Sequence, residues 1–253
     1  MKKRLNILSV LFLLVLCTVN GSAQEERLFF DWEFKINAGY NIGSTSPLPL
    51  PVEIRKIEKF SPHFLAPHVA LEGSRWFHEK WGVSAQLTMD YKGFTVHDQV
   101  KNLHTEIEMG DDNYTGNFTG KNTTEIRNTY ITLPVMATYR ISNQWIAQLG
   151  PYIAYLYHPD FKGTASDGYI RQGSPTGEKI DVPEASFDFS GKQSRLDYGL
   201  LLAGEWEFYT DFALRGQVSW GLKSVFPSHF TGMSFSMYNV YGMIGVSYRI
   251  KYL

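Results

Sequence analysis

Only one of the 253 residues is cysteine, Cys17, and it sits in an apolar stretch close to the N-terminus. Past it the chain has no thiol, which excludes disulfides, thiolate metal sites and cysteine nucleophiles there. Long hydrophobic runs are also missing: beyond the first two dozen residues no segment approaches the roughly 18 uninterrupted apolar residues of a membrane helix. Neither sign of charge prevails, because 24 Lys and Arg stand against 25 Asp and Glu for a formal net charge of -1. There is thus no basic field for nucleic acid and no acidic tail. The seven histidines (His63, His68, His78, His97, His104, His158, His229) show no metal-ligand spacing, and His97 and His104, which share one segment, lie seven apart.

The N-terminus reads as an export signal. Met1-Lys2-Lys3-Arg4 is a basic head, Ile7 to Val19 a short apolar middle, and Gly21-Ser22-Ala23 a small-residue end, predicting cleavage after Ala23. A lipoprotein site at Cys17 would place bulky Leu16 where such a site needs a small residue. The division expected is a cleaved signal peptide over 1–23 and one domain over 24–253, since no linker or shift of composition divides the remainder.

What the chain does have is alternation. In Trp32-Glu33-Phe34-Lys35-Ile36-Asn37-Ala38-Gly39-Tyr40-Asn41-Ile42 every even position is apolar and every odd one polar or Gly, strict period 2 over eleven residues. Seven more such strands are expected near 66–77, 81–94, 127–141, 145–157, 194–208, 212–223 and 237–250. In the third, Trp81, Val83, Ala85, Leu87, Met89 and Tyr91 share one face and Ser84, Gln86, Thr88, Asp90 and Lys92 the other. In the sixth, Leu196, Tyr198, Leu200, Leu202, Trp206 and Phe208 oppose Asp197, Glu205 and Glu207. A repeated ladder with one apolar face is what a lipid-embedded barrel requires. The rival, a soluble lipocalin-like barrel with the apolar face inward, would have to fit Trp32, Phe34, Trp81, Met89, Tyr155, Trp206 and Trp220 into an interior just wide enough for ordinary side chains.

Connection lengths alternate as well. His78-Glu79-Lys80, Ser142-Asn143-Gln144 and Tyr209-Thr210-Asp211 are short turns, whereas 43–65, 95–126, 158–193 and 224–236 read as long loops. Short turns at one rim and long loops at the other is the outer-membrane arrangement, turns periplasmic and loops outside. Trp32, Trp76, Phe77, Trp81, Tyr139, Trp145, Phe208, Phe212 and Tyr248 gather near the short turns, as a girdle at the headgroup level would. The fold class predicted is all-β: an eight-stranded antiparallel up-and-down transmembrane β-barrel with short periplasmic turns and long extracellular loops.

The registers place Glu33, Glu72, Asp90, Asp197, Glu205 and Glu207 inside, with Lys35, Lys92, Arg140, Arg215, Lys223 and Arg249 and the rings of Tyr130, Tyr152 and Tyr241. Balanced signs in a narrow lumen neutralise one another, since an unpaired buried charge is very costly. Glu205 and Glu207 face the same way, and Ser228-His229 is a loop dipeptide, but no further residue builds a catalytic site around either. No catalytic, cofactor-binding or metal-ligating residue is predicted, and no cofactor. The segment 113–124 carries three N-x-T sequons, read as a polar exposed loop rather than as glycosylation sites. Tyr114, Phe118, Phe161, Tyr169, Phe230 and Phe235 are expected to give the loops contact surface.

At Tyr130-Ile131-Thr132-Leu133-Pro134-Val135-Met136-Ala137-Thr138-Tyr139-Arg140 and Gly150-Pro151-Tyr152-Ile153-Ala154-Tyr155 the chain resembles the PorT-like outer-membrane β-barrel family, in which a strand with a Leu-Pro or Ile-Pro step precedes a Gly-Pro-Tyr strand. Leu196-Asp197-Tyr198-Gly199-Leu200 and Gly245-Val246-Ser247-Tyr248-Arg249-Ile250 are similar to its last strands. The resemblance implies an eight-stranded barrel in the outer membrane of a Gram-negative bacterium, with one founding member tied to protein secretion, and brings no catalytic residue. The function expected is a non-enzymatic barrel whose loops or rim serve surface interaction or envelope and secretion assembly. A small pore or transporter, and a membrane-embedded lipid-modifying enzyme, are the alternatives. Expected surroundings are outer-membrane lipids including lipopolysaccharide, with a secretion or surface partner at the loops, no nucleic acid, and a monomeric state.

Overall fold

The computed structural model describes residues 32–110, 112–173 and 176–250, so the expected signal peptide lies outside the described residues. Eleven strands are formed where eight were expected: β1 (Trp32–Pro47), β2 (Ile54–Pro62), β3 (Pro67–Trp76), β4 (Trp81–Met109), β5 (Asp112–Arg140), β6 (Trp145–His158), β7 (Phe161–Gln172), β8 (Lys179–Asp188), β9 (Leu196–Tyr209), β10 (Phe212–Gly221) and β11 (Met237–Ile250). All pairings are antiparallel. They run β4-β3-β1-β11-β10-β9-β6-β5, and β5 pairs back onto β4, so these eight strands make a closed circuit. The other three, β2, β7 and β8, lie outside that circuit and pair with the far halves of β4 and β5.

Alternation of side chains decides the sidedness of the circuit. Along β4, Trp81, Val83, Leu87 and Met89 are exposed while Ser84, Gln86, Thr88 and Asp90 are buried. Phe34 and Ile36 of β1, Leu133 and Val135 of β5, Leu149 and Ile153 of β6, and Leu200 and Leu202 of β9 continue the outward apolar band. A belt this wide is far larger than the apolar patches that water tolerates, and it fits a hydrocarbon solvent. Trp32, Phe77, Trp81, Trp145, Phe208, Phe212 and Tyr248 mark its short-turn edge, all exposed. Trp76 departs from the expected girdle: it points inward, is buried, and donates from its indole to Glu33 at 3.1 Å. The two motif segments meet across one ladder, with Pro134 opposite Tyr152. A Cβ on Gly150 would lie 2.0 Å from the Val135 carbonyl oxygen, so only glycine permits this approach.

Past the outer end of the band the chain departs from expectation. Three of the four segments read as loops are largely strand. β4 and β5 run on together for 29 residues each, and β2, β7 and β8 extend the sheet as the curled order β2-β4-β5-β7-β8. β8 touches β4 again at Glu108↔Ser186, which rolls this sheet into a head. Within the head the sidedness inverts. Phe94, Val100, Leu103 and Ile107 of β4 and Phe118 and Ile126 of β5 are buried, while Lys101, Glu108, Lys121 and Arg127 are exposed. A register shift between Val100 and Leu103, with Asn102 at φ 57°, moves the inward positions from even to odd. Water covers the head and lipid the band, so the apolar side must face opposite ways in the two. The connection over 224–236 stays largely irregular and packs Val225, Phe226, Phe230 and Met233 against the head core.

Outward positions in the two halves should therefore respond oppositely to charge. Leu87→Arg places a cation in the lipid-facing band, at a cost of up to about 2–4 kcal/mol near the midplane, and should block assembly into membranes. Thr115→Arg, at an exposed site on the outer half of β5, should leave assembly unchanged. The heat-dependent shift in gel mobility reads both variants.

Candidate functional site

Two places gather groups capable of chemistry, the lumen of the eight-strand circuit and the interior of the head. In the lower lumen Lys35 Nζ lies 3.0 Å from Glu33 and 2.6 Å from Glu205. The Arg215 guanidinium, fully buried, donates to Glu205 and reaches Glu72 at 3.2 Å. Glu72 also accepts from Asn37 at 3.1 Å, Gln86 at 2.7 Å and Gln148 at 2.6 Å. At the short-turn rim Arg249 joins Glu33 at 3.1 Å to Glu207 at 2.9 Å. Opposite charges thus alternate from the rim inward, each held by strands whose register the lipid-facing side has already set.

The upper lumen is closed by a second cluster. His68 Nδ1 lies 2.6 Å from Asp90, which also accepts from Asn41 and Thr132, both at 3.1 Å. Lys92 lies over the rings of Tyr130, Tyr241 and Tyr152 at 4.9, 5.3 and 5.8 Å, a cation–π cage. Asp197 accepts from Asn239 at 3.0 Å and from Tyr152 at 3.3 Å. Among these groups lie cavities of about 10 Å³, each about the space of a single water. The lumen is full.

Most of the expected inward set is brought together here. Arg140 and Lys223 are not: both lie at rims, donating to the carbonyls of Glu79 and Leu196. Glu205 and Glu207 are split between the deep network and the half-buried rim, so they do not form a carboxylate pair. Gln86, expected on the polar face of its strand, is buried there as a member of the Glu72 cluster. Ser228 and His229 are exposed on the irregular connection. Among the described residues no three His, Cys, Asp or Glu side chains come together as a metal site would need.

The head holds a chamber of about 160 Å³. Its walls are mainly apolar, Phe94, Phe118, Phe161, Phe187 and Phe189 with Ile107 and Leu103, closed on the other side by Met233, Phe235 and the tip of β1, with the hydroxyls of Thr105 and Thr124 and the amide of Asn122 among them. Phe118 and Phe161 are buried here, so these expected contact rings build the core of the head instead of its surface. One acid faces the chamber, Asp98 of β4, 6% exposed and receiving a hydrogen bond from Asn122 Nδ2 at 2.9 Å. Asn122 belongs to the third sequon, and its amide is engaged inside with Asp98 and Thr124. Burial pushes the Asp98 carboxyl up to about 6, against the opposing hydrogen bond from Asn122 and the weaker pull of His97, whose ring bonds Thr123 at 2.9 Å. Asp98 escaped sequence reading. The signal was there, an acid at an inward position among Phe94, Val96 and Val100, but visible only once the inversion of sidedness is known.

Residues 22–227 match the family described as outer membrane protein beta-barrel domain. No curated protein matches. Among solved structures, the chain is similar to Ail, the attachment invasion locus protein of Yersinia pestis, at 11% identity and a TM-score of 0.37, over 87% of this chain and 99% of that one. The same protein in complex with the heparin analogue sucrose octasulfate matches at 12% identity and a TM-score of 0.34, over 87% and 99%.

Two outcomes follow from the charges. Arg215→Ala should destabilise the barrel by about 3–5 kcal/mol in a urea titration, because Glu72 and Glu205 lose a shared buried partner. Asp98, with a folded value near 6 above the ordinary 3.8, binds its proton more tightly in the folded head. Its contribution is therefore most favourable below pH 4 and is lost as pH rises through 6. Asp98→Asn should make the head more protease-resistant than the parent at pH 8, by an amount on the order of 2–3 kcal/mol, with the two converging near pH 4.

Proposed function

The chain belongs to the outer membrane protein beta-barrel domain family, and on that premise we propose that it is a non-enzymatic, ion-tight barrel of eight spanning strands that carries its head outside the cell for surface contact or for envelope and secretion assembly. It resides in the outer membrane. The observation that carries the proposal is the filled lumen. A pore needs a continuous aqueous path, whereas here Lys35, Glu205, Arg215 and Glu72 pair across the interior and Lys92 is caged by three tyrosines above them. Charges already paired or caged in this way offer little to a permeating ion or a substrate. The mass outside the circuit is folded sheet, which suits binding at a surface.

The finer parts of the reading belong to the same proposal. Residues 1–23 are a signal peptide removed on export, the short turns face the periplasm and the head faces outward. Kinship with the PorT-like branch rests on the Leu133-Pro134 step and the Gly150-Pro151-Tyr152 strand, which lie side by side in the sheet. Lipopolysaccharide is the surrounding lipid of the outer leaflet, and the closed circuit leaves no unpaired barrel edge to demand a second copy.

The purified protein in planar bilayers should give no sustained conductance, and protease applied to intact cells should cut within the head. Stable open-channel steps would replace this reading with the pore. A mass change in lipopolysaccharide after incubation with the protein would replace it with a lipid-modifying enzyme.

A further inference from the structure

The head chamber lies outside the barrel circuit and is not needed to hold the barrel in the membrane. At about 160 Å³ it is close to the roughly 150 Å³ of an engineered apolar cavity that takes up benzene, so it offers space for about one aromatic ring. Seven phenylalanines line it, and one of them, Phe60, marks with Leu50 and Ile57, all half-exposed, a mouth on the β1–β2 side. Among the described residues Asp98 is the only ionisable side chain on its walls. The lumen carboxylates Glu33, Glu72 and Glu205 each touch a Lys or Arg, but Asp98 makes no ion pair among the described residues and receives a single side-chain hydrogen bond, from Asn122. A buried carboxylate without a cation is costly. A mainly apolar cavity with one such group is complementary to a molecule that brings both the missing charge and the missing apolar volume.

We propose that the chamber binds a small amphipathic amine, with an apolar body of about one aromatic ring and a protonated nitrogen that pairs with Asp98. The ring fills the space among Phe94, Phe118, Phe161 and Phe187, and the ammonium, held at the wall, gains Asp98 and the faces of neighbouring rings. A neutral ring of the same size gains only the apolar part. A carboxylate-bearing one meets Asp98 as a like charge. This inference stands apart from the surface-contact reading, since a sealed anchor and an open pore could carry the same head.

The test uses the full mature protein in lipid nanodiscs, with 2-phenylethylamine, ethylbenzene and 3-phenylpropionate as probes followed by ligand-observed NMR. The amine should bind about tenfold more tightly than ethylbenzene, the scale of one charge-assisted hydrogen bond, and the carboxylate should not bind. Asp98→Asn should bring the amine down to the level of ethylbenzene and leave ethylbenzene unchanged, which also shows that the chamber has kept its shape. Ala165→Trp, filling the chamber from β7, should abolish both, with protease resistance of the head reporting that it is still folded. Equal affinity of amine and ethylbenzene in the parent protein, an amine preference that survives Asp98→Asn, or no binding of either probe would overturn the proposal.

Discussion

Hydrocarbon offers a peptide group no hydrogen-bond partner, and the rest of this molecule depends on that. Each N–H and C=O within the membrane must find its mate in the chain itself, which a sheet achieves only by closing. Here closure is made by β5 returning to β4, the most extensively paired ladder in the protein. Once the circuit is shut, every strand has one face in lipid and one in the lumen, and the register of each follows from which of its residues can bear which solvent. The lumen charges are then a consequence rather than a cause. Glu33, Lys35, Glu72, Glu205 and Arg215 are brought together because the faces opposite them are apolar, and their mutual pairing is what makes that placement tolerable.

The same backbone serves two solvents in succession. Along β4, Leu87 and Met89 face out where the surroundings are apolar, and Phe94 and Val100 face in where they are aqueous. Nothing in the ladder of hydrogen bonds changes at this boundary, since β4 and β5 stay paired across it. What changes is only which side profits from being apolar. The head is therefore a small globular core grown on top of a membrane barrel, with its own clusters around Phe161 and Phe226 and around Ile107 and Phe118.

This inversion also sets what could be read from the sequence. The strands of the circuit were legible nearly to the residue: 145–157 was expected and Trp145–His158 is found, 237–250 was expected and Met237–Ile250 is found. Each is a clean alternation whose polar half must hide from lipid. The lumen partners were legible as a set, because sidedness alone names them, though which acid meets which base needed the strand order. The strands β2, β7 and β8 and the outer halves of β4 and β5 read as loops. Their alternation is diluted by Gly, Asn and Thr, broken by the bulge at Asn102, and of opposite phase to the barrel. The chamber and Asp98 lay inside those segments and went unseen with them.

The unbroken run of β4 and β5 from the turn rim to the tip of the head has a mechanical meaning. A tether attached near Gly110 and pulled away from the membrane would draw both strands the same way and load, along the strand direction, the ladders that join them to β3 and β6, so that many cross-strand bonds would have to give at once instead of parting one by one from an end. No linker sits between the two halves of these strands to stretch first. Force on the head would thus arrive in the membrane undiminished, carried by the staves of the barrel themselves.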